Sequence, residues 1–401
     1  MILLLICMGN FWYIDAMRLL FVADGRSPIA LNWIRFFVER GDDVYLASTF
    51  PCDPGLALKG LEITPVAFSL GSGSPAGVLA PSSRGLGPRL RMTIRHFLGP
   101  LTVSRAARRL RAVIQRIRPE LVHAMRIPFE GMLAADAYTG TPLLISVWGN
   151  DFTLHASSTP LMRHYTSWTM QVASGLHADC QRDIRLGRGW GFDPAKPSLV
   201  SPGNGGVRLD VFHPPARPSS DPIVLNPRGA RAYVRNDVFF RAIPLVLARR
   251  PDATFICASL QGDSQALDWI RKLDIAPAVE LLPPVPHEDM AGVFRRAQVM
   301  VSPALHDGTP NSLLEAMACG CFPVAGDLDS IREWITSGRN GLLVDPNDPQ
   351  SLAQAILDAL SNENLRRQAA GLNQQLITSR AEYGRCMAEA GEFYRRVISR
   401  A

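Results

Sequence analysis

The chain has 401 residues, 47% of them hydrophobic and 19% charged, with a formal net charge of +6. That length exceeds one typical core and suits two α/β domains, and the composition excludes a disordered or fibrous chain. The positive charge is almost wholly arginine, with Lys59, Lys196 and Lys272 as the lysines, so the skew reads as composition bias and nucleic acid is not an expected partner. Seven scattered cysteines form no disulfide framework. Cys319 and Cys321 lack a second pair at metal-ligand spacing, so buried thiols in a reducing cytoplasm are expected, with no metal.

Residues 2–7 are an apolar run without a preceding basic residue, interrupted by Gly9 and Asn10 and too short to span a bilayer. Residues 1–16 therefore read as an extension ahead of a first strand at 17–23. A loop at 24–28, helical spacing over 29–40 and a strand at 43–48 follow. This is a βαβ unit of a parallel sheet, and ligands sit at the carboxyl ends of such strands, so Gly25 is expected at a cleft. The loop lacks G-x-G-x-x-G, which argues against a dinucleotide site. The glycine-rich stretch at 71–77 reads as a flexible loop. Residues 84–118 carry Arg84, Arg89, Arg91 and Arg95 among apolar neighbours, then continue as a basic helix. Such a segment is either a solvated face or a surface for anionic lipid heads.

Apolar runs at 121–124, 142–148 and 175–178 read as strands; the first delivers His123, the second the WGND of 148–151, and the third precedes Asp179, with His123 and Asp151 expected to face the same crevice. Composition then shifts: residues 212–222 hold Pro214, Pro215, Pro218 and Pro222, a linker. It separates a domain at 17–211 from one at 223–375, with a last segment at 376–401. The second half alternates strand and helix again, with Arg228 after its first strand and Val285 after its third.

At 299–301 an apolar strand runs into Ser302-Pro303, a polar loop at 306–311 and an apolar stretch at 312–319 closed by Gly320. Leu313, Leu314 and Met317 fall at helical spacing, so the unit is strand, loop, helix. A helix that starts after such a loop presents unpaired N–H groups and a positive dipole end, fit to hold a phosphate. Asp307 and Glu315 flank that end. On physics alone this is either an anion site or an ordinary strand-helix unit.

Asp307, seven intervening residues, Glu315 and then EAMACGCFPVA resemble the donor-sugar signature of the family-4 retaining glycosyltransferases of GT-B fold. Asp307 stands where glutamate is usual, which bears on the identity of the donor sugar. The resemblance implies two Rossmann-like parallel-sheet domains facing across a cleft, with a C-terminal helix crossing back to the first. It implies a nucleotide-sugar donor, a sugar, lipid-linked or small-molecule acceptor, no cofactor and no metal. Asp327-Leu-Asp329 matches no family metal site.

The resemblance assigns catalytic roles to His123, Arg228, Asp307 and Glu315, and places Asp151 on the acceptor side. Val285 would meet the base, the N–H groups of Asn311, Ser312 and Leu313 the phosphates, and Glu315 the ribose. Gly25, Gly308 and Thr309 complete the donor site. The family's lysine five residues after Arg228 is missing. Tyr233 holds its place, with Arg231 and Arg235 as candidate replacements, since arginine bridges phosphate oxygens bidentately. The expected function is sugar transfer with retention in cell-envelope polysaccharide or glycolipid synthesis, cytoplasmic or peripheral at the membrane. The alternative is a nucleotide-sugar-binding scaffold, favoured by the missing lysine.

Overall fold

The computed structural model describes residues 16–67, 69 and 95–400. Residues 1–15, the glycine-rich stretch at 71–77 and the arginines at 84, 89 and 91 lie outside the described residues. Two all-parallel sheets form the frame. The first comprises β1 (Arg18–Ala23), β2 (Asp43–Ser48), β3 (Gly60–Ile63), β4 (Leu121–Ala124), β5 (Leu143–Val147), β6 (Gly175–Ala178) and β7 (Ser198–Val200), in the order β3-β2-β1-β4-β5-β6-β7. The second comprises β8 (Ile223–Asn226), β9 (Thr254–Cys257), β10 (Val279–Leu281), β11 (Val299–Ser302), β12 (Phe322–Gly326) and β13 (Leu342–Val344), in the order β10-β9-β8-β11-β12-β13.

Every residue of β4, β5, β6, β11 and β12 is buried. Helices cover both faces of these strands, which is why their sequences are continuous apolar runs and not alternating ones. In both sheets the order reverses, between β1 and β4 and between β8 and β11. Crevices at the carboxyl ends of strands open at such switch points.

The last helix, Tyr383–Ser399, belongs physically to the first domain. Its Met387, Ala390, Phe393, Tyr394 and Val397 share a cluster with Trp33, Phe37 and residues of β1. Spacings of three and four put these side chains on one helical stripe. Tyr394 stacks on Phe37 with ring centroids 4.5 Å apart. The chain reaches this position through a short pairing. Val207 N–H donates to Ala381 C=O at 2.7 Å, and Tyr383 N–H donates to Val207 C=O at 3.0 Å. Gly206 makes that approach feasible: its φ is +108°, and a Cβ there would lie 2.5 Å from Ala381 O.

Candidate active site

On the second domain's wall, β11 feeds a polar loop and the helix Asn311–Ala318, which begins at Pro310 with no side-chain cap. The N–H groups of Leu313 and Leu314 turn back to Pro310 C=O at 3.0 and 3.3 Å. Leu313 is therefore not a free donor, contrary to the sequence reading, because the first helical turn closes on itself. The N–H groups of Asn311 and Ser312 have no acceptor among the described residues.

Arg228 Nη1 lies 2.9 Å from Asp307 Oδ2, with both side chains mostly buried. Burial works against the Arg228 charge, and Asp307 and Tyr233 more than offset it, so its pKa is raised. Asn226 holds the loop in place. Its Oδ1 accepts from Arg228 N–H at 3.0 Å, and its Nδ2 donates to Asn236 Oδ1 at 2.9 Å. Of the two candidates for the missing lysine, Arg235 is committed elsewhere. It chelates Asp237 at 2.9 and 3.0 Å and bonds Asn347. Arg231 is exposed and donates to Tyr233 Oη at 3.0 Å.

Glu315 is buried, and its Oε1 lies 2.7 Å from His287 Nε2. That hydrogen bond raises the His287 pKa. His287 was not singled out in the sequence. It sits two residues after the half-buried Val285, so the segment expected to meet the base also orients Glu315.

The first domain's wall departs further from expectation. His123 is 1% exposed and does not reach the cleft. It lies inside β4, where strand alternation turns it against the first and last helices. A directed chain consumes both its nitrogens. Trp33 Nε1–H donates to Tyr394 Oη at 2.8 Å, and Tyr394 O–H donates to His123 Nδ1. His123 Nε2–H then donates to Ser146 Oγ at 2.7 Å, Ser146 O–H to His177 Nδ1 at 2.8 Å, and His177 Nε2–H to Ser201 C=O at 3.0 Å. Every donor finds one acceptor with both imidazoles neutral, as a buried network requires. Burial pushes the His177 pKa down to about 4 and that of His123 well below its ordinary value.

Asp151 is also corrected. It is fully buried and binds Arg126 Nη2 at 2.8 Å and Ile127 N–H at 3.0 Å, so it fixes the loop after β4 and does not face an acceptor. The charged side chain of that loop that keeps some exposure is Arg126, at 29%, over the Trp148 ring. Gly25 is buried against β2 and its N–H donates to Ser48 Oγ at 3.0 Å, so that N–H is already used.

The two walls meet at the donor loop. A Cβ on Gly149 would lie 1.8 Å from Gly308 N, and one on Gly308 would lie 2.2 Å from Asp179 Oδ1, so only glycines allow this contact. Thr309 Oγ1 donates to Asp179 C=O and accepts from Trp334 Nε1–H at 2.9 Å, so its hydroxyl serves the joint and not a donor sugar. Arg182 ties the walls together. It donates to Asp307 C=O at 2.7 Å, to Gly149 C=O at 2.8 Å and to Ser330 Oγ at 3.1 Å. Glu333 of the second domain accepts from Gln181 and Arg182 N–H at 2.9 and 3.1 Å. It caps the helix Gln181–Gly189 of the first domain from outside, where a negative charge suits the dipole.

Asp179, Cys180 and Asp183 bring three ligand-type atoms within 4.8 Å of one another. The donor set does not fit a cation. Both Asp183 oxygens are taken by Arg182 at 2.9 and 3.1 Å. Burial, with the nearby carboxylates, pushes the Cys180 thiol up, which keeps it protonated, and burial and then Asp183 hold the Asp179 carboxyl well above its ordinary range.

Two family models match the chain: "Glycosyl transferase 4-like domain" over residues 30–203 and "Glycosyl transferases group 1" over residues 229–362. A D-inositol 3-phosphate glycosyltransferase of Thermobispora bispora is 27% identical over 227 residues, 51% of this chain and 52% of the relative. One of Paenarthrobacter aurescens is 31% identical over 201 residues, 48% of this chain and 46% of the relative. The chain spans about half the length of the curated relatives it matches. Sucrose-phosphate synthase from Thermosynechococcus elongatus superposes with a TM-score of 0.74 at 16% identity, covering 96% of this chain and 100% of that one. Anabaena HepE in complex with UDP-glucose superposes at 0.68 and 16% identity, covering 94% and 98%. These structures share the two-domain fold.

Proposed function

From the premise that the chain belongs to the group 1, family 4 glycosyltransferases, with their GT-B fold, we propose that it moves a sugar from a nucleotide-sugar donor to an acceptor hydroxyl, with retention and without a metal. One observation carries this reading. The unbonded N–H groups of Asn311 and Ser312 stand at a helix N-terminus whose loop holds the Arg228–Asp307 pair.

Cleavage at the anomeric carbon leaves a diphosphate, and stabilising that charge is the main task. The helix end and Arg228 supply fixed positive potential in a site that is largely out of water. Glu315, oriented by His287, accepts from the ribose hydroxyls, and Asp307 exchanges part of its contact with Arg228 for a donor-sugar hydroxyl. Arg231, held beside the site by Tyr233, stands nearest to the missing lysine's role.

UDP-sugars are the first donors to try, since the superposed HepE was solved with UDP-glucose. Inositol phosphates are the first acceptors, since the relatives are named for one. The experiment is a thermal-shift screen with UDP, GDP and ADP sugars, followed by donor hydrolysis. Binding plus slow hydrolysis supports the enzyme; firm binding with no cleavage by water or any acceptor establishes the scaffold reading instead.

The setting we propose is the cytoplasmic face of a membrane, in envelope polysaccharide or glycolipid synthesis. Among the described residues no helix is long and apolar enough to cross a membrane. Phe97, Leu98 and Leu101 are 56%, 47% and 66% exposed, and they precede the helix Val103–Ile117, whose Arg105, Arg108 and Arg109 are exposed. Apolar side chains beside arginines suit shallow contact with anionic lipid. Co-sedimentation with vesicles containing phosphatidylglycerol is expected for the wild type and lost in Leu101→Asp.

A further inference from the structure

The first domain's wall holds three guanidinium groups on aromatic rings. Arg26 lies 3.6 Å from the centroid of Phe50. Arg95 lies 5.4 Å from the same ring and 4.6 Å from Phe129, and Arg126 lies 5.5 Å from Trp148. Phe129 adopts φ +70°, a left-handed conformation that a bulky residue takes only under constraint, and strain of this kind clusters at ligand sites.

Glu130 and Asp24 support the Arg95 charge without bonding to it, and hydrogen bonds are shared unevenly among the three arginines. Arg26 is chelated by Asp24, with both contacts at 3.0 Å, and Arg126 is paired with Asp151 at 2.8 Å. Arg95 has no ion pair and no hydrogen bond among the described residues, and its Nε is buried. The Nε of Arg126 is likewise buried without a partner. The remaining acid, Glu130, is 3% exposed and accepts from Thr49 Oγ1 at 2.8 Å, and burial raises its pKa. Positive potential dominates the surroundings. Burial and the neighbouring arginines lower the pKa of His96 and push that of His155 down to about 3. Arginine does not escape by deprotonating. A guanidinium largely out of water whose N–H groups find no acceptor is costly unless a ligand supplies one.

The cluster lies beside the other wall: Trp148, the ring under Arg126, precedes Gly149, where a Cβ would lie 1.8 Å from Gly308 N. We propose that Arg95, together with the unpartnered Nε of Arg126, forms an anion subsite on the acceptor side, so that the acceptor carries a phosphate or carboxylate near the hydroxyl that receives the sugar. The word acceptor rests on the glycosyltransferase reading; the anion site itself does not.

The test is a thermal-shift titration with inorganic phosphate, and separately acetate, on the full chain with UDP at saturation to fill the donor phosphate site. A saturable rise in melting temperature is expected in the wild type and in Arg163→Gln, an exposed control. It is expected to be retained in Arg95→Lys and abolished in Arg95→Gln. Phosphate alone protecting identifies a phosphorylated acceptor, and acetate protecting identifies a carboxylate. The inference is overturned if neither anion protects, or if Arg95→Gln responds as the wild type does. UDP protection and donor hydrolysis report separately on the glycosyltransferase reading, so either conclusion can fail alone.

Discussion

In the second domain the polar groups that face the cleft come mostly from one continuous run, β11, the loop holding Asp307 and the helix carrying Glu315. In the first domain they come from separate segments, the loop after β1, the helical stretch at 95–98 and the loop after β4, and meet only in three dimensions. A continuous run uses the backbone itself as the binding device, and backbone geometry leaves little to vary. An assembled wall relies on side chains, each of which changes independently. The second domain's wall is therefore the fixed half of the cleft and the first domain's wall the adjustable half.

The comparison can be broken most directly at the donor wall. Arg228→Ala is expected to lower donor hydrolysis by about 10²–10³-fold, the usual effect of removing one group that stabilises developing charge, and Glu315→Ala to lower it by about 10²-fold through lost positioning of the donor. Activity within tenfold of wild type in steady-state assays would place the chemistry elsewhere.

The next effect concerns the core of the first domain. The folded pKa of His177 is depressed to about 4, so the unfolded chain binds the extra proton below its ordinary value near 6.5. The stabilisation is present above that value and is lost as pH falls towards 4. The wild type should lose about 2–3 kcal/mol between pH 7 and 4.5 through this group. His177→Gln, which can still donate and accept, should lose less, as read from urea midpoints.

Arg182→Ala removes the ties between the walls. A loss of about 2 kcal/mol is expected, the scale for a charged group that leaves buried carbonyls unpaired. A larger radius of gyration by small-angle scattering should accompany it; an unchanged radius would mean that the walls hold without this joint. Glu333→Gln is the mildest change. Loss of a charged cap costs about 1 kcal/mol, with the scattering profile moving in the same direction by less.

The strands were legible because parallel strands buried on both faces leave continuous apolar runs, as at 143–147 and 299–302. The strand, loop and helix at 299–318 were legible because their pattern is local. His123 was misread because its environment depends on Tyr394, 271 residues away. Nothing near His123 distinguishes a core imidazole from a cleft one. Arg182 and Glu333 bond across 151 residues, and Arg26 and Arg95 share a ring from separate loops. A weaker local signal did exist for Arg126, an arginine two residues beyond β4 and so in the loop at its carboxyl end. His287 was hidden in a proline-rich loop that gave no periodicity to read.

The crossing of the last helix carries a consequence for biosynthesis. The apolar stripe through Met387, Tyr394 and Val397 completes the core of the domain translated first. During synthesis that domain waits for residues 383–399 with Trp33 and Phe37 uncovered, although its own strands are complete by residue 200, whereas the second domain has its strands by residue 344. The first half to emerge is the last to close, and a chain cut short near residue 380 would leave both Trp33 and His123 without the hydroxyl that joins them.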